Sequence, residues 1–206
     1  MNNRLRTTNL KASSFSNCDG SIIGLRVFFK KSELCLINVY LPYCSRANTD
    51  EFLAYLGKLR QLCEELQCPN ICFVGDFNAG ATNTFGDLLE DFCMENDFII
   101  SDYAILPQDT FTHISDAHNT TSWIDHFVSS FSVHQAMLNM DVLTECIISD
   151  HRAVAVSIQC SHSLLLLCTE DDNSCYRNVC KMSVVSFALA VVFIIRLFST
   201  SAFCVP

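Results

Sequence analysis

Between Arg60 and Arg152 the chain contains no lysine or arginine, although carboxylates recur throughout that stretch. Tight non-specific binding to nucleic acid comes from Lys and Arg neutralising phosphates. A surface built from this stretch repels polyanions, and a nucleic acid would approach it only with help from divalent cations. The opening segment MNNRLRTTNL is polar and lacks the apolar core of a secretory signal, so an intracellular location is expected. No CxxC pair occurs among the thirteen cysteines, and the count is odd. They are expected to be reduced thiols rather than a disulfide framework. Cys63, on the apolar face of an expected helix, and Cys72, inside an expected strand, serve as small hydrophobes. The spacing of Cys68, Cys72 and His113 or His118 matches no zinc-site pattern.

What is present describes a globular protein. The chain has 206 residues, 50% hydrophobic and 17% charged, with a net charge of -9. That length suits one domain with a sizeable core. Residues 1–20 are polar and rich in Ser and Asn, an N-terminal remnant of loop character. Ser21 to Phe29 and Glu33 to Tyr40 are β-rich runs around Lys30-Lys31-Ser32, which predicts a hairpin. From Thr49 onward Phe52, Leu53, Tyr55, Leu56, Leu59, Leu62, Cys63 and Leu66 recur at helical spacing up to Cys68-Pro69, with Thr49 or Asp50 as N-cap. Ile71 to Val74 is a short buried strand, completing a strand, helix, strand unit. A second helix is expected from Asp87 to Asn96, and further strands near Ile99, near Thr110, and at Ile124 to Ser129, Met137 to Leu143 and Ala153 to Ile158. Residues 161–182 read as a linker. The segment 183–206, whose one charge is Arg196, is an apolar helix and a possible membrane anchor.

Four short strings place polar residues beside strand-like runs: NVYLP at 38–42, GDFNAG at 75–80, SWIDHFV at 122–128 and SDHRAV at 149–154. Such juxtaposition is what a sheet shows when its strand ends carry chemistry. In this order the four resemble the endonuclease/exonuclease/phosphatase family, metal-dependent phosphodiesterases with a DNase I-like fold, and most nearly the endonuclease domains of non-LTR retrotransposons. The resemblance spans residues 20–160. It implies an α/β protein, part of a two-sheet α/β sandwich flanked by helices.

The resemblance also implies roles. Asp76 would orient or deprotonate the attacking water and Asn78 would hold a phosphoryl oxygen. His151 would donate to the scissile phosphate, oriented by Asp125, since a carboxylate fixes the imidazole tautomer and favours its cation. Tyr40 would bring its hydroxyl near the phosphate. Asp150 would help hold Mg²⁺ or Mn²⁺, with Thr110 and Ser149 as phosphate-side support. Trp123, His113, His118 and His126 read as packing or surface residues. In the family an Asn and a metal-binding Glu lie far upstream of the Tyr that Tyr40 matches. Here 39 residues precede it. A partial domain of low activity, with its main metal ligand missing, is therefore expected. Glu33 is excluded as a replacement: seven residues at about 3.3 Å each separate it from Tyr40 by roughly 23 Å. Asp19 is the better candidate.

By lineage the partner is DNA and the location nuclear, or a membrane if the C-terminal segment inserts. One alternative is a phosphatase of the same family acting on inositol phosphates. Such enzymes tend to carry Arg after the Asp of their W-x-D motif, where this chain has His126. The other is a non-catalytic, membrane-anchored scaffold.

Overall fold

The computed structural model describes residues 11–16, 20–28, 32–143, 149–160 and 163–168. Strands β1 (Lys11–Ser16), β2 (Ile22–Phe28) and β3 (Glu33–Tyr40) form an antiparallel run in which Phe28 pairs with Glu33, as the expected hairpin requires. Arg26 clamps Glu33 across this hairpin through two guanidinium hydrogen bonds of 2.8 and 2.9 Å. Glu33 is thus committed at the strand end opposite Tyr40. Asp19 lies outside the described residues.

β3 is buried on both faces, and its alternation shows why. Leu34 and Leu36 join one apolar cluster, while Cys35, Ile37 and Val39 join another. A period of two sends successive side chains to opposite faces, so β3 is a central strand. A 3₁₀ turn at Arg46–Asn48 leads into helix α1 (Thr49–Leu66), which crosses over to β4 (Ile71–Asp76), parallel to β3. α1 closes at Gln67, a left-handed residue whose N–H bonds to the Cys63 carbonyl at 3.1 Å.

Helix α2 (Thr84–Glu95), β5 (Phe98–Ile100), the short α3 (Ser101–Ile105), and a small hairpin of β6 (His113–Ser115) and β7 (Thr120–Ser122) follow. Then come β8 (Asp125–Ser130), α4 (Phe131–Ala136), β9 (Met137–Leu143), β10 (Ala153–Cys160) and β11 (Ser163–Cys168). The main sheet runs β1-β2-β3-β4-β8-β5, and a second sheet runs β11-β10-β9. Leu34, Leu36, Val74 and Phe127 from the first meet Met140, Val154 and Val156 from the second. Phe52, Leu59, Phe85 and Leu89 of the helices cover the first sheet's other face with Ile37 and Phe73. Burying each such side chain contributes about 1.5–3 kcal/mol. This is the expected two-sheet sandwich with flanking helix.

Several sequence expectations need correction. α2 starts at Thr84, three residues before Asp87, because the Asn83 side chain accepts from the Gly86 N–H at 2.9 Å and Phe85 stacks on Phe52 at 4.1 Å. Thr110 lies in a turn closed on Pro107, and the strand begins only at His113. Within the polar lead, residues 11–16 form β1 on the sheet edge; within the linker, residues 163–168 pair with β10. The apolar helix and membrane anchor at 183–206 fall outside the described residues, and among those described no helix is long and apolar enough to cross a membrane.

Candidate active site

Strand register assembles the site. Tyr40 is the Cα partner of Asp76, and Asp76 of Asp125, so three neighbouring strands end in three polar residues side by side. All three lie on the face of their strands that carries Leu36, Val74 and Phe127, the face turned to the second sheet. Gly75 makes the approach possible. Its φ is +128°, and an added Cβ would stand 2.2 Å from the Val39 carbonyl oxygen. A side chain there would force β3 and β4 apart.

Asp76 is 3% exposed. Its Oδ1 accepts the Asn78 N–H at 2.8 Å and its Oδ2 the Asn78 amide at 3.2 Å. Asn78, in left-handed backbone at φ +52°, also gives its amide to the Leu41 carbonyl at 2.9 Å. Both amide protons are therefore directed at protein acceptors, and Asn78 braces Asp76. Burial, then the facing Asp125, pushes the Asp76 pKa up to about 7, against the opposing pull of His151 and the Asn78 N–H.

The expected Asp125 and His151 pair is present. His151 Nδ1 lies 2.9 and 3.1 Å from the two Asp125 oxygens, and Asp125 is 6% exposed. Burial opposes charge on His151, but the hydrogen bond to and charge of Asp125 outweigh it and raise the pKa to about 9. The imidazole is thus a cation at neutral pH with Nε2 as its remaining donor. Ser149 Oγ accepts the His151 N–H at 3.1 Å and donates to Asp150 Oδ1 at 3.3 Å, shaping the turn. The Asp150 side chain is 68% exposed. The Tyr40 phenol, half exposed, has its pKa raised by burial and then by Asp76 and Asp150.

Of three residues given no chemical part by the sequence, two are built into the site. Thr112, fully buried, accepts the N–H groups of Ile124 and Asp125 on one hydroxyl, each at 3.1 Å, and so fixes the backbone that carries Asp125. Thr112, not Thr110, supplies the threonine hydroxyl of this frame. His113 leans over His151, ring centroids 4.8 Å apart, with Nε2 3.6 Å from Asp150 Oδ2. His126 points the other way. It is 1% exposed, with Nδ1 2.8 Å from Asp102 Oδ2 and Nε2 2.5 Å from the Ala79 carbonyl. Because both acceptors need a proton, this ring is held as a cation: burial opposes charge, but Asp102 and the Ala79 carbonyl raise its pKa. Alternation along SWIDHFV already separates His126 from Asp125; nothing in Ser101-Asp102-Tyr103 marks its partner.

The donor set fits a hard divalent cation in type. Asp76, Asp125 and Asp150 are oxygen donors, and the buried Asn38 Oδ1 beside Gly75 has no hydrogen-bond partner among the described residues. A buried acceptor left unpaired marks a place for water or an ion. Asp76 and Asp125 are buried whereas the Asp150 side chain is largely exposed, so Asp150 is the carboxylate most open to a metal.

Comparison with known proteins agrees with this geometry. No curated protein matches the chain. Among solved structures, the endonuclease domain of TRAS1, a telomere-specific non-LTR retrotransposon, superposes with a TM-score of 0.61 at 18% identity, covering 76% of this chain and 72% of that one. A 3' phosphatase, NExo from Neisseria, bound to product DNA hairpin, gives 0.58 at 15% identity, covering 72% and 70%. An AP endonuclease from Archaeoglobus fulgidus gives 0.52 at 13%, covering 74% and 71%. At such identities the likeness establishes the DNase I-like fold. Residues 34–155 match the family model described as endonuclease-reverse transcriptase. With more than half of its length so matched, this chain belongs to that family, within the endonuclease/exonuclease/phosphatase superfamily.

Proposed function

We propose that this protein is a retrotransposon-type DNA endonuclease that hydrolyses phosphodiester bonds slowly and with the help of Mg²⁺ or Mn²⁺. The observation that carries the reading is the Asp125–His151 pair held in register with Asp76. Asp76 accepts a proton from the attacking water as its oxygen bonds to phosphorus. His151 presents Nε2 to the phosphate and neutralises the negative charge gathering there. The bond from phosphorus to the leaving ester oxygen breaks as that oxygen takes a proton from solvent, leaving a phosphate monoester on one product and a hydroxyl on the other. Tyr40 borders the phosphate, and Asn78 keeps Asp76 in place. The cation, held by Asp150 with help from Asn38 and otherwise by water and substrate oxygens, would neutralise phosphate charge. Slow turnover follows from this thin protein ligation among the described residues.

The inositol-phosphate phosphatase reading draws no support here, because His126 is sealed on the far face of β8 and offers no cation to the site. The membrane-anchored scaffold rests on residues beyond those described. Supercoiled plasmid incubated with the purified chain tests the proposal. We expect slow nicking with Mg²⁺ or Mn²⁺, stopped by chelation and lost in Asp76→Asn and His151→Ala. Nicking that persists in both variants would refute it.

A further inference from the structure

His113, which the proposed chemistry does not use, stands beside two residues that it does. One ligand atom from each of His113, Asp150 and His151 lies within 4.8 Å of the other two. Both imidazoles are oriented through Nδ1: His113 by Ser122 Oγ at 3.0 Å, His151 by Asp125 at 2.9 Å. Each keeps Nε2 as its remaining ring nitrogen. A histidine that binds metal almost always has its other nitrogen tied in this way, by a carboxylate, a carbonyl or water, which fixes the ring and raises its basicity. The backbone beneath is equally set. Ile114 N–H bonds to the Asp150 carbonyl at 2.8 Å and Arg152 N–H to the Thr112 carbonyl at 2.6 Å, so the three ligands ride on two paired segments.

We propose that His113, Asp150 and His151 form a binding site for a borderline transition-metal dication of the Zn²⁺ class. Two imidazole nitrogens and one carboxylate, with a fourth position left to water, suit Zn²⁺. Mg²⁺ prefers oxygen ligands throughout. At Zn–N and Zn–O bonds of about 2.0–2.2 Å, tetrahedral ligand atoms stand roughly 3.3–3.5 Å apart. The cluster must therefore contract modestly, which the exposed Asp150 side chain allows. Occupancy has a consequence that rests on the proposed function. The metal displaces the Nε2 proton of His151 to solvent, binds the nitrogen so freed and takes the Asp150 carboxylate with it, removing the hydrogen-bond donor and the open carboxylate of hydrolysis. Zn²⁺ then inhibits where Mg²⁺ activates.

The test uses the full chain with accessible thiols blocked by N-ethylmaleimide, because thirteen cysteines offer competing ligands. Zn²⁺ is titrated calorimetrically in excess Mg²⁺, and Co²⁺ by its visible absorption. One equivalent should bind, with the strong absorption of a tetrahedral Co²⁺ site. His113→Ala and Asp150→Asn should each weaken binding by at least about tenfold, the loss seen when even an outer partner is removed. Asp150 is exposed, so Asp150→Asn reports on binding even if His113→Ala destabilises the fold. No binding, or affinity unchanged in Asp150→Asn, overturns the site whatever the nicking assay shows. Binding without inhibition of nicking supports the site and counts against the hydrolytic role of His151.

Discussion

Replacing Asp102 separates two effects that its carboxylate combines. One oxygen accepts the Phe127 N–H at 2.8 Å and the other faces His126 Nδ1 at 2.8 Å, and both side chains are 0% exposed. Asp102→Ala leaves the buried Phe127 amide proton and the Nδ1 of a buried imidazole without partners. Breaking a buried ion pair from one side costs about 3–5 kcal/mol. At about 2–4 °C per kcal/mol for a chain of this size, the midpoint of unfolding should fall by roughly 6–20 °C. Asp102→Asn should behave differently. Its carbonyl oxygen can still accept from Phe127, while its amide donates to Nδ1 of a neutral His126 that keeps its proton on Nε2 for Ala79. Every hydrogen bond survives, and the cost should stay within about 1 kcal/mol. The two proteins should differ in pH dependence. In the parent the His126 pKa is raised on folding, so its stabilisation is complete below the unfolded value of about 6.5 and is lost as pH rises through the folded value. In Asp102→Asn the neutral ring gives a depressed folded pKa, and stability falls as pH drops below about 6.5. The gap between the proteins should therefore be widest in mild acid and close in alkali. Guanidinium unfolding can follow Trp123, the sole tryptophan, which packs edge-on against Tyr103 at 4.8 Å, itself 4.9 Å from His126. Equal destabilisation by Ala and Asn, or a gap independent of pH, would refute the charged-pair reasoning.

The remaining predictions concern the site. Cation-dependent nicking should rise as Asp76 loses its proton near pH 7 and fall as His151 loses its own near pH 9, giving a bell whose alkaline limb disappears in His151→Ala together with the activity. A rate still climbing well above pH 9 would show that His151 does not act as the cation. Gly75→Ala should destabilise by about 1–3 kcal/mol, because the new methyl overlaps the Val39 carbonyl oxygen and Asn38 Oδ1 at the junction of β3 and β4. An unchanged thermal midpoint would mean that the junction yields.

Much of the frame was legible because it rests on local periodicity. Alternation in Leu34-Cys35-Leu36-Ile37 marks a strand buried on both faces, and the helical spacing from Phe52 to Leu66 marks α1. The start of α2 was obscured by Gly86, which normally argues against a helix interior. Here it is required, since an added Cβ would meet the Gly80 carbonyl oxygen at 2.1 Å where the helix packs on the loop after Asn78. Asp76, Asp125 and His151 were legible as motif residues. His113 was not, because its approach to His151 depends on pairing of residues 112–114 with 150–152, a contact between segments far apart in sequence. Thr112 was missed in favour of Thr110 for a similar reason: both flank Phe111, and only the fold decides which hydroxyl reaches the Ile124 and Asp125 amides.

The missing lysines and arginines and the site histidines are two sides of one electrostatic arrangement. Arg152, the first guanidinium after Arg60, lies over the Phe111 ring at 4.0 Å. Within residues 61–151, positive charge facing a phosphate can then come only from imidazolium or from a bound metal. Against it stand Asp76, Asp125 and Asp150, and the phosphate adds a further negative charge. A fixed lysine would hold its charge across the physiological range, whereas His151 carries charge only below about pH 9 and a metal only while it is bound. The affinity of this protein for a polyanion should therefore follow cation supply and pH more closely than that of a nuclease with a basic groove, whose grip is set by counterion release from many phosphates.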